Sequence, residues 1–357
     1  MRGCWKERAI WLAGLGSAVG VAVVLIFSVA CGSGSPGSSS TVTPTGTPTG
    51  TPTGSGTGAP ATYSFVAVLP LENIGFSQVI GDTADAPFLN SLINYQGSNP
   101  SAPGALATNY FSDAHPSIGN YFMMTTGQLV TTDDTFNNTS NGYPVTVDNV
   151  ARELIAADKS WKAYAESLPA AGYTGGDVVP YLERHNPFSY FSDVVGNPQQ
   201  SANIVPFTQF AADLNAGSAG TLGNLPNYAF IVPNAYNDAE SCDPTETSCD
   251  TERIADVDAW VQTNIGPLLQ TPAFQQNGLL IITWDEAETS DTSNGLGGIG
   301  GGHVATILLG AGVKAAYQQQ TTNVYDHASL LRLTMDSLGL KTQLPIANVT
   351  PMTEFFQ

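Results

Sequence analysis

The chain has 357 residues, with 11 Lys and Arg against 30 Asp and Glu and a formal net charge of −19. So acidic a surface repels nucleic acid and anionic membranes, which excludes both as electrostatic partners. An anionic substrate would need a bound cation to reverse the local field.

The N-terminus departs from that charge balance. Arg2, Lys6 and Arg8 oppose a single Glu7, and residues 9–30 carry no charge before Cys31. A basic start, an apolar stretch and small residues before a cleavage point describe an export signal. The stretch is also long enough to span a bilayer as a helix. Ser28-Val29-Ala30-Cys31 resembles a bacterial lipoprotein processing box, with Ser28 where Leu is usual. Lipidation of Cys31, a retained anchor and plain secretion all place the rest of the chain outside the cytoplasm. Residues 32–61, with Thr-Pro-Thr-Gly repeats, lack the apolar groups that offset ordering entropy and are expected to form a disordered tether.

From residue 62 to 357 apolar runs alternate with helical patterns, which predicts one α/β domain around a mainly parallel central sheet flanked by helices. Buried strands are expected at 64–71, 228–233, 279–284 and 304–309. Val150, Leu154, Ala157, Trp161, Tyr164 and Leu168 recur at helical spacing, predicting one helix over 149–168 capped by Asp148. A second helix should start after His115-Pro116 and end before Gly127, and a third should run from Asp326 through Leu338 to a stop at Gly339. Cys242 and Cys249 can close a small loop by a disulfide; a zinc or redox pair is the weaker reading, since the spacing is not C-x-x-C and no His is near.

Chemistry-bearing residues collect where strands end. Glu72-Asn73, the segment Asn234 to Asp238, and Asp285-Glu286 each follow a predicted strand, and parallel sheets bind ligands outside the carboxyl ends of their strands. Adjacent carboxylates after an apolar run repel unless solvated or bridged by a cation, so an oxygen-rich divalent-metal site is expected. Ser117 opens a helix, where it is either an activated nucleophile or a simple cap. All four histidines, His115, His185, His303 and His327, lie beside turn or break residues, as site residues rather than core residues would. No Gly-x-Ser-x-Gly elbow is present, and Gly295-x-Gly297-x-x-Gly300 precedes a strand rather than joining strand to helix, which disfavours a dinucleotide loop.

Several segments together resemble the bacterial phosphoesterase family, which groups phospholipase C and acid phosphatase relatives. They are Leu71-Glu72-Asn73 with Gly81, His115 to Tyr121, Lys159 to Tyr164, His185-Asn186-Pro187-Phe188, Pro226-Asn227-Tyr228 through Asn237-Asp238, Trp284-Asp285-Glu286 and Tyr325-Asp326-His327. The resemblance covers nearly all of 62–345. It implies an alkaline-phosphatase-like fold and a metal-dependent hydrolase of phosphoric esters, including lipid phosphate esters, with one or two divalent ions. It places metal at Glu72, Asn73, Asp285 and Glu286, with Asp238 a further ligand. Ser117 matches the nucleophile or metal-contacting hydroxyl, Asn120 the residue holding phosphoryl oxygens, and His115, His303 and His327 pocket groups. His185, Asn186 and Asn234 are implied substrate contacts. One departure stands out: family members carry His-Asp after the Asn-Asp pair, where this chain has Glu240-Ser241. The departure removes a ligand or proton donor, or supplies an oxygen ligand instead, and it is the best support for the alternative of a non-catalytic binding protein.

Overall fold

The computed structural model describes residues 62–94, 104–244 and 249–357. The expected export segment (1–31) and the tether (32–61) lie outside the described residues, as does the side chain of Cys249. No helix among the described residues is long and apolar enough to cross a membrane.

Among the described residues eight strands form one sheet: β1 (Phe65–Leu71), β2 (Gly104–Ala107), β3 (Trp161–Ala165), β4 (Ile204–Pro206), β5 (Tyr228–Val232), β6 (Gly278–Trp284), β7 (Thr306–Gly310) and β8 (Tyr317–Gln318), in the order β4-β3-β5-β1-β6-β7-β2-β8. Every residue of β1, β5 and β6 is buried, because helices and loops cover both faces. That explains their unbroken Val, Ile, Leu and Phe runs.

The sheet is mixed, which corrects the expectation of a mainly parallel one. Strands β4, β3, β5, β1 and β6 run parallel, but β7 is antiparallel to both β6 and β2. A parallel return needs a crossover, usually a helix. The chain from Trp284 to Thr306 is instead a helix-free loop, so β7 comes back beside β6 in the opposite sense.

The expected helix over 149–168 is also replaced. The helix is only Val150–Ala156; Asp158 adopts a left-handed φ of +54°, and Trp161–Ala165 becomes the strand between β4 and β5. Trp161, Ala163 and Ala165 satisfy a two-residue alternation as well as a helical one, and pairing on both sides decides between them. The cap is Asn149, whose side chain accepts from the Arg152 backbone N–H at 3.0 Å, whereas Asp148 pairs with the Arg152 guanidinium. The other two helices follow expectation. Ile118–Thr126 ends at Gly127 (φ +71°), and His327–Ser337 is capped by Asp326 and closes before Gly339 (φ +69°). These two helices pack on each other.

Gly310, at the end of β7, has φ +140°, and a Cβ there would collide with the Gly278 carbonyl oxygen. Gly310→Ala is expected to cost about 3 kcal/mol in urea denaturation, through backbone strain plus a displaced strand end.

Candidate active site

Strands β5, β1 and β6 are parallel neighbours, so their carboxyl ends share one rim of the sheet. Leu71 pairs with Trp284, which sets Glu72 beside Asp285. Past the strand ends the Glu72 N–H donates to the Asp238 carbonyl and the Asp285 N–H to the Leu71 carbonyl, both at 2.8 Å. Three carboxylates from distant parts of the sequence are thereby fixed together, and Glu72, Asp238 and Asp285 are all essentially inaccessible to solvent. Asn73 turns the chain with φ +53° and donates from its side chain to Glu72 Oε2 (3.0 Å) and Glu240 Oε2 (2.7 Å).

Ser117 sits at the N-cap position of the helix Ile118–Thr126, yet its hydroxyl does not cap it. A carboxylate from elsewhere, Asp134, accepts the Ile118 N–H at 3.0 Å. The Ser117 hydroxyl is left to donate to Glu72 Oε2 at 3.1 Å. One turn further along, Tyr121 donates to Glu72 Oε1 at 2.5 Å and stacks on His185, ring centroids 5.1 Å apart. His185 lies between carboxylates, Nδ1 3.1 Å from Asp238 Oδ2 and Nε2 3.3 Å from Glu72 Oε1.

This concentration of buried acids is reflected in their proton affinities. Burial, then the charges of Asp285, Glu240 and Asp238, raises the Glu72 pKa well above the usual range. Burial and Glu286 do the same for Asp285, and burial and Glu240 for Asp238. His185 is pushed down to about 4 by burial and by the neighbouring Arg184, so its ring is neutral. Arg184 partly balances the acids, bonding Glu240 Oε1 at 2.8 Å and Asp177 Oδ2 at 2.9 Å.

A divalent cation fits this chemistry. Asp285 Oδ2 is buried without a hydrogen-bond partner among the described residues, and the Glu286 charge lies close enough to raise the Asp285 pKa. Glu72, Asn73, Asp285 and Glu286 could hold such an ion with Ser117 beside it. Donor atoms of Glu72, His185 and Glu240 also lie within 4.8 Å of one another.

The remaining candidates occupy different layers. His115 reaches the cluster, Nδ1 at 3.2 Å from Glu286 Oε2 and Nε2 on the Asp291 carbonyl, and Glu286 raises its pKa. Asn120 is saturated by the protein: it accepts from Ser112 Oγ and the Ala114 N–H and donates to the Ala114 carbonyl and Glu286 Oε2. His327 acts behind the cluster, Nε2 donating to the Asp285 carbonyl at 2.7 Å and Nδ1 accepting from the Tyr110 hydroxyl. His303 is stacked between Phe76 and Phe111 with Nε2 on the Thr108 carbonyl. Asn186 bonds Tyr181, and the Asn234 side chain bonds Ser167 and the Tyr236 N–H. Sequence reasoning missed Tyr121, Asp134 and Arg184. Tyr121 was within reach, since it lies four residues after Ser117 on the same helix face. Asn120→Ala removes four hydrogen bonds, including both to the Ala114 backbone, and is expected to lower stability by about 3 kcal/mol in chemical denaturation; unchanged stability would show those bonds to be dispensable.

The phosphoesterase family matches residues 66–341. The phosphatidylinositol-3-phosphatase of Mycobacterium tuberculosis is 28% identical over 298 residues, covering 83% of each chain. An acid phosphatase of Aspergillus fumigatus is 29% identical over 66% of this chain, which spans 49% of that protein. Among solved structures, an alkaline phosphatase superfamily protein from Vibrio parahaemolyticus aligns with TM-score 0.53 at 12% identity, over 80% of this chain and 69% of that one. The lipoteichoic acid synthase LtaP of Listeria monocytogenes also aligns with TM-score 0.53, at 13% identity over 83% and 76%. These two likenesses identify an alkaline-phosphatase-like α/β fold. The chain belongs to the phosphoesterase family, and it is a phosphoric ester hydrolase.

Proposed function

We propose that the protein hydrolyses phosphomonoesters outside the cytoplasm, with Ser117 as nucleophile and a divalent cation at the carboxylate cluster. The observation that carries this reading is the Ser117 hydroxyl, freed from capping by Asp134 and aimed at Glu72. A bound cation would supply Lewis-acid neutralisation of phosphoryl charge. Ser117 Oγ attacks phosphorus in line and passes its proton toward Glu72 Oε2. The bond from phosphorus to the alcohol oxygen breaks, and His115, whose protonated form Glu286 favours, gives the departing oxygen a proton. Water then hydrolyses the phosphoserine and frees phosphate.

The M. tuberculosis relative is named for a phosphoinositide, and lipid phosphomonoesters fall within the proposed substrate class. The extracytoplasmic location is supported by the basic and apolar pattern of residues 1–31 and by Cys242, which is disulfide-bonded. Purified protein should release nitrophenol from p-nitrophenyl phosphate faster than from its bis-ester and stop when chelated. Cation-replete protein inert toward both esters would overturn the reading.

A further inference from the structure

We propose that the loops around Ser117 form a docking surface for a zwitterionic phospholipid bilayer, with Leu296 and Ile299 entering its headgroup layer. The proposal rests on the phosphomonoesterase reading for the place of the nucleophile, and deepens it by naming the surface that carries the substrate.

Among the described residues six large apolar side chains are well exposed: Leu129, Ile155, Val178, Val179, Leu296 and Ile299. A single exposed apolar residue needs no explanation, but all of these except Ile155 lie on three loops that adjoin the site. Leu296 and Ile299 are 80% and 86% exposed, at the tip of the glycine-rich loop between β6 and β7.

That tip is held outward by its own backbone. Asn294 Oδ1 accepts the Leu296 and Gly298 N–H groups at 2.9 and 2.8 Å, and the Gly300 and Gly302 N–H groups donate to the Thr292 and Ser293 carbonyls. The base of the loop is tied to the site. The Gly301 N–H donates to the Ser112 carbonyl, and the Ala287 N–H, next to Glu286, donates to the Gly301 carbonyl. His115 Nε2 meets the Asp291 carbonyl at 2.9 Å. The other two loops adjoin the same helix start. Leu129 lies beside Gly119, and Asp134 of that loop accepts the Ile118 N–H. Asp134 to Thr139 share one cleft with Gly176 and Asp177, which directly precede Val178 and Val179.

Charge selects the occupant. Residues 128–143, 174–181 and 287–302 carry Asp133, Asp134, Asp177, Glu288 and Asp291, and no Lys or Arg. Such a rim repels an anionic lipid surface. It complements the ammonium groups that phosphatidylcholine presents outermost. A second copy of the chain fits less well, because it would set like charges against each other. Ser117 is only 3% exposed, so a lipid phosphate must be brought down to it. Apolar tips sunk among the headgroups do this, and their burial favours the docked state.

The full chain tests the proposal, because the N-terminal segment is common to every variant. Leu296→Ser combined with Ile299→Ser should hydrolyse p-nitrophenyl phosphate as the wild type does. Its hydrolysis of phosphatidic acid in phosphatidylcholine vesicles should fall at least about tenfold. Leu296→Trp, read as a difference from the wild type, should shift its fluorescence to the blue when phosphatidylcholine vesicles are added. The shift should shrink as phosphatidylglycerol replaces phosphatidylcholine. A double variant that matches the wild type on vesicles, or loses as much on the soluble ester, overturns the proposal. So does Leu296→Trp emission that vesicles leave unmoved, or that shifts with protein concentration alone, which would give the tips to a second copy. A vesicle-dependent shift in protein inert toward both substrates supports docking and sinks the phosphomonoesterase reading alone.

Discussion

Ser117→Ala is expected to lower kcat/KM for a phosphomonoester by at least about a thousandfold, the scale of losing a nucleophile whose partners cannot replace it. The hydroxyl is nearly buried, and its hydrogen bond goes to Glu72 rather than to the helix N-terminus. Removal therefore leaves the cap intact, because Asp134 supplies it. Glu72 keeps Tyr121 and Asn73 as donors, so stability should change by only about 1 kcal/mol. A large kinetic loss with a small thermodynamic one separates a nucleophile from a structural serine. Steady-state kinetics beside urea denaturation measures both, and a loss below about tenfold would transfer the attack to a water molecule. Trapping by acid quench should detect phosphoserine in the wild type and none in the variant.

The sequence exposes the site carboxylates because strands β1, β5 and β6 are apolar and then stop at polar groups. Burial on both faces forces that abrupt change, so Glu72, Asp238 and Asp285 stand out in a linear reading. The antiparallel β7 does not stand out. Its composition matches a parallel strand, and only the helix-free loop before it carries the direction. Trp161–Ala165 misleads for a related reason: six apolar residues at helical spacing contain a strand whose pairing partners lie some 40 to 70 residues away. Local periodicity carries no information about such partners.

The same limit governs the site. Four histidines beside turns look alike in sequence, yet the structure gives them four environments. His185 lies among carboxylates, His115 spans Glu286 and a carbonyl, His327 braces the Asp285 backbone, and His303 is held between two phenyl rings. A ring's partners are set by tertiary neighbours, and the Asp134 carboxylate that frees Ser117 is 17 residues away in the chain. Arg184 likewise gains meaning only through Glu240.

Those neighbours also fix how the protein should respond to chelation and pH. In the cation-free protein Glu72, Asp238 and Asp285 have folded pKa values above their unfolded ones. Their stabilising contribution is complete below the unfolded carboxyl range, near pH 4, and is lost as pH rises through the raised values. His185 and His327, both depressed to about 4, act oppositely: they cost stability as pH falls below their unfolded value of 6.5. These opposing trends blur the melting curve of the cation-free protein, but the difference between loaded and chelated samples isolates the cluster. A cation binds deprotonated carboxylates, so it competes with the protons that burial retains. At a hundredfold excess over Kd it should stabilise by about 2.7 kcal/mol, which for a domain of this size raises Tm by roughly 4 °C. That increment should be largest near about pH 8 and shrink by more than half near about pH 5, as protons reclaim the oxygens. Differential scanning calorimetry with Mn²⁺ or with a chelator at both pH values measures it. An increment independent of pH would mean that the ion binds away from these acids.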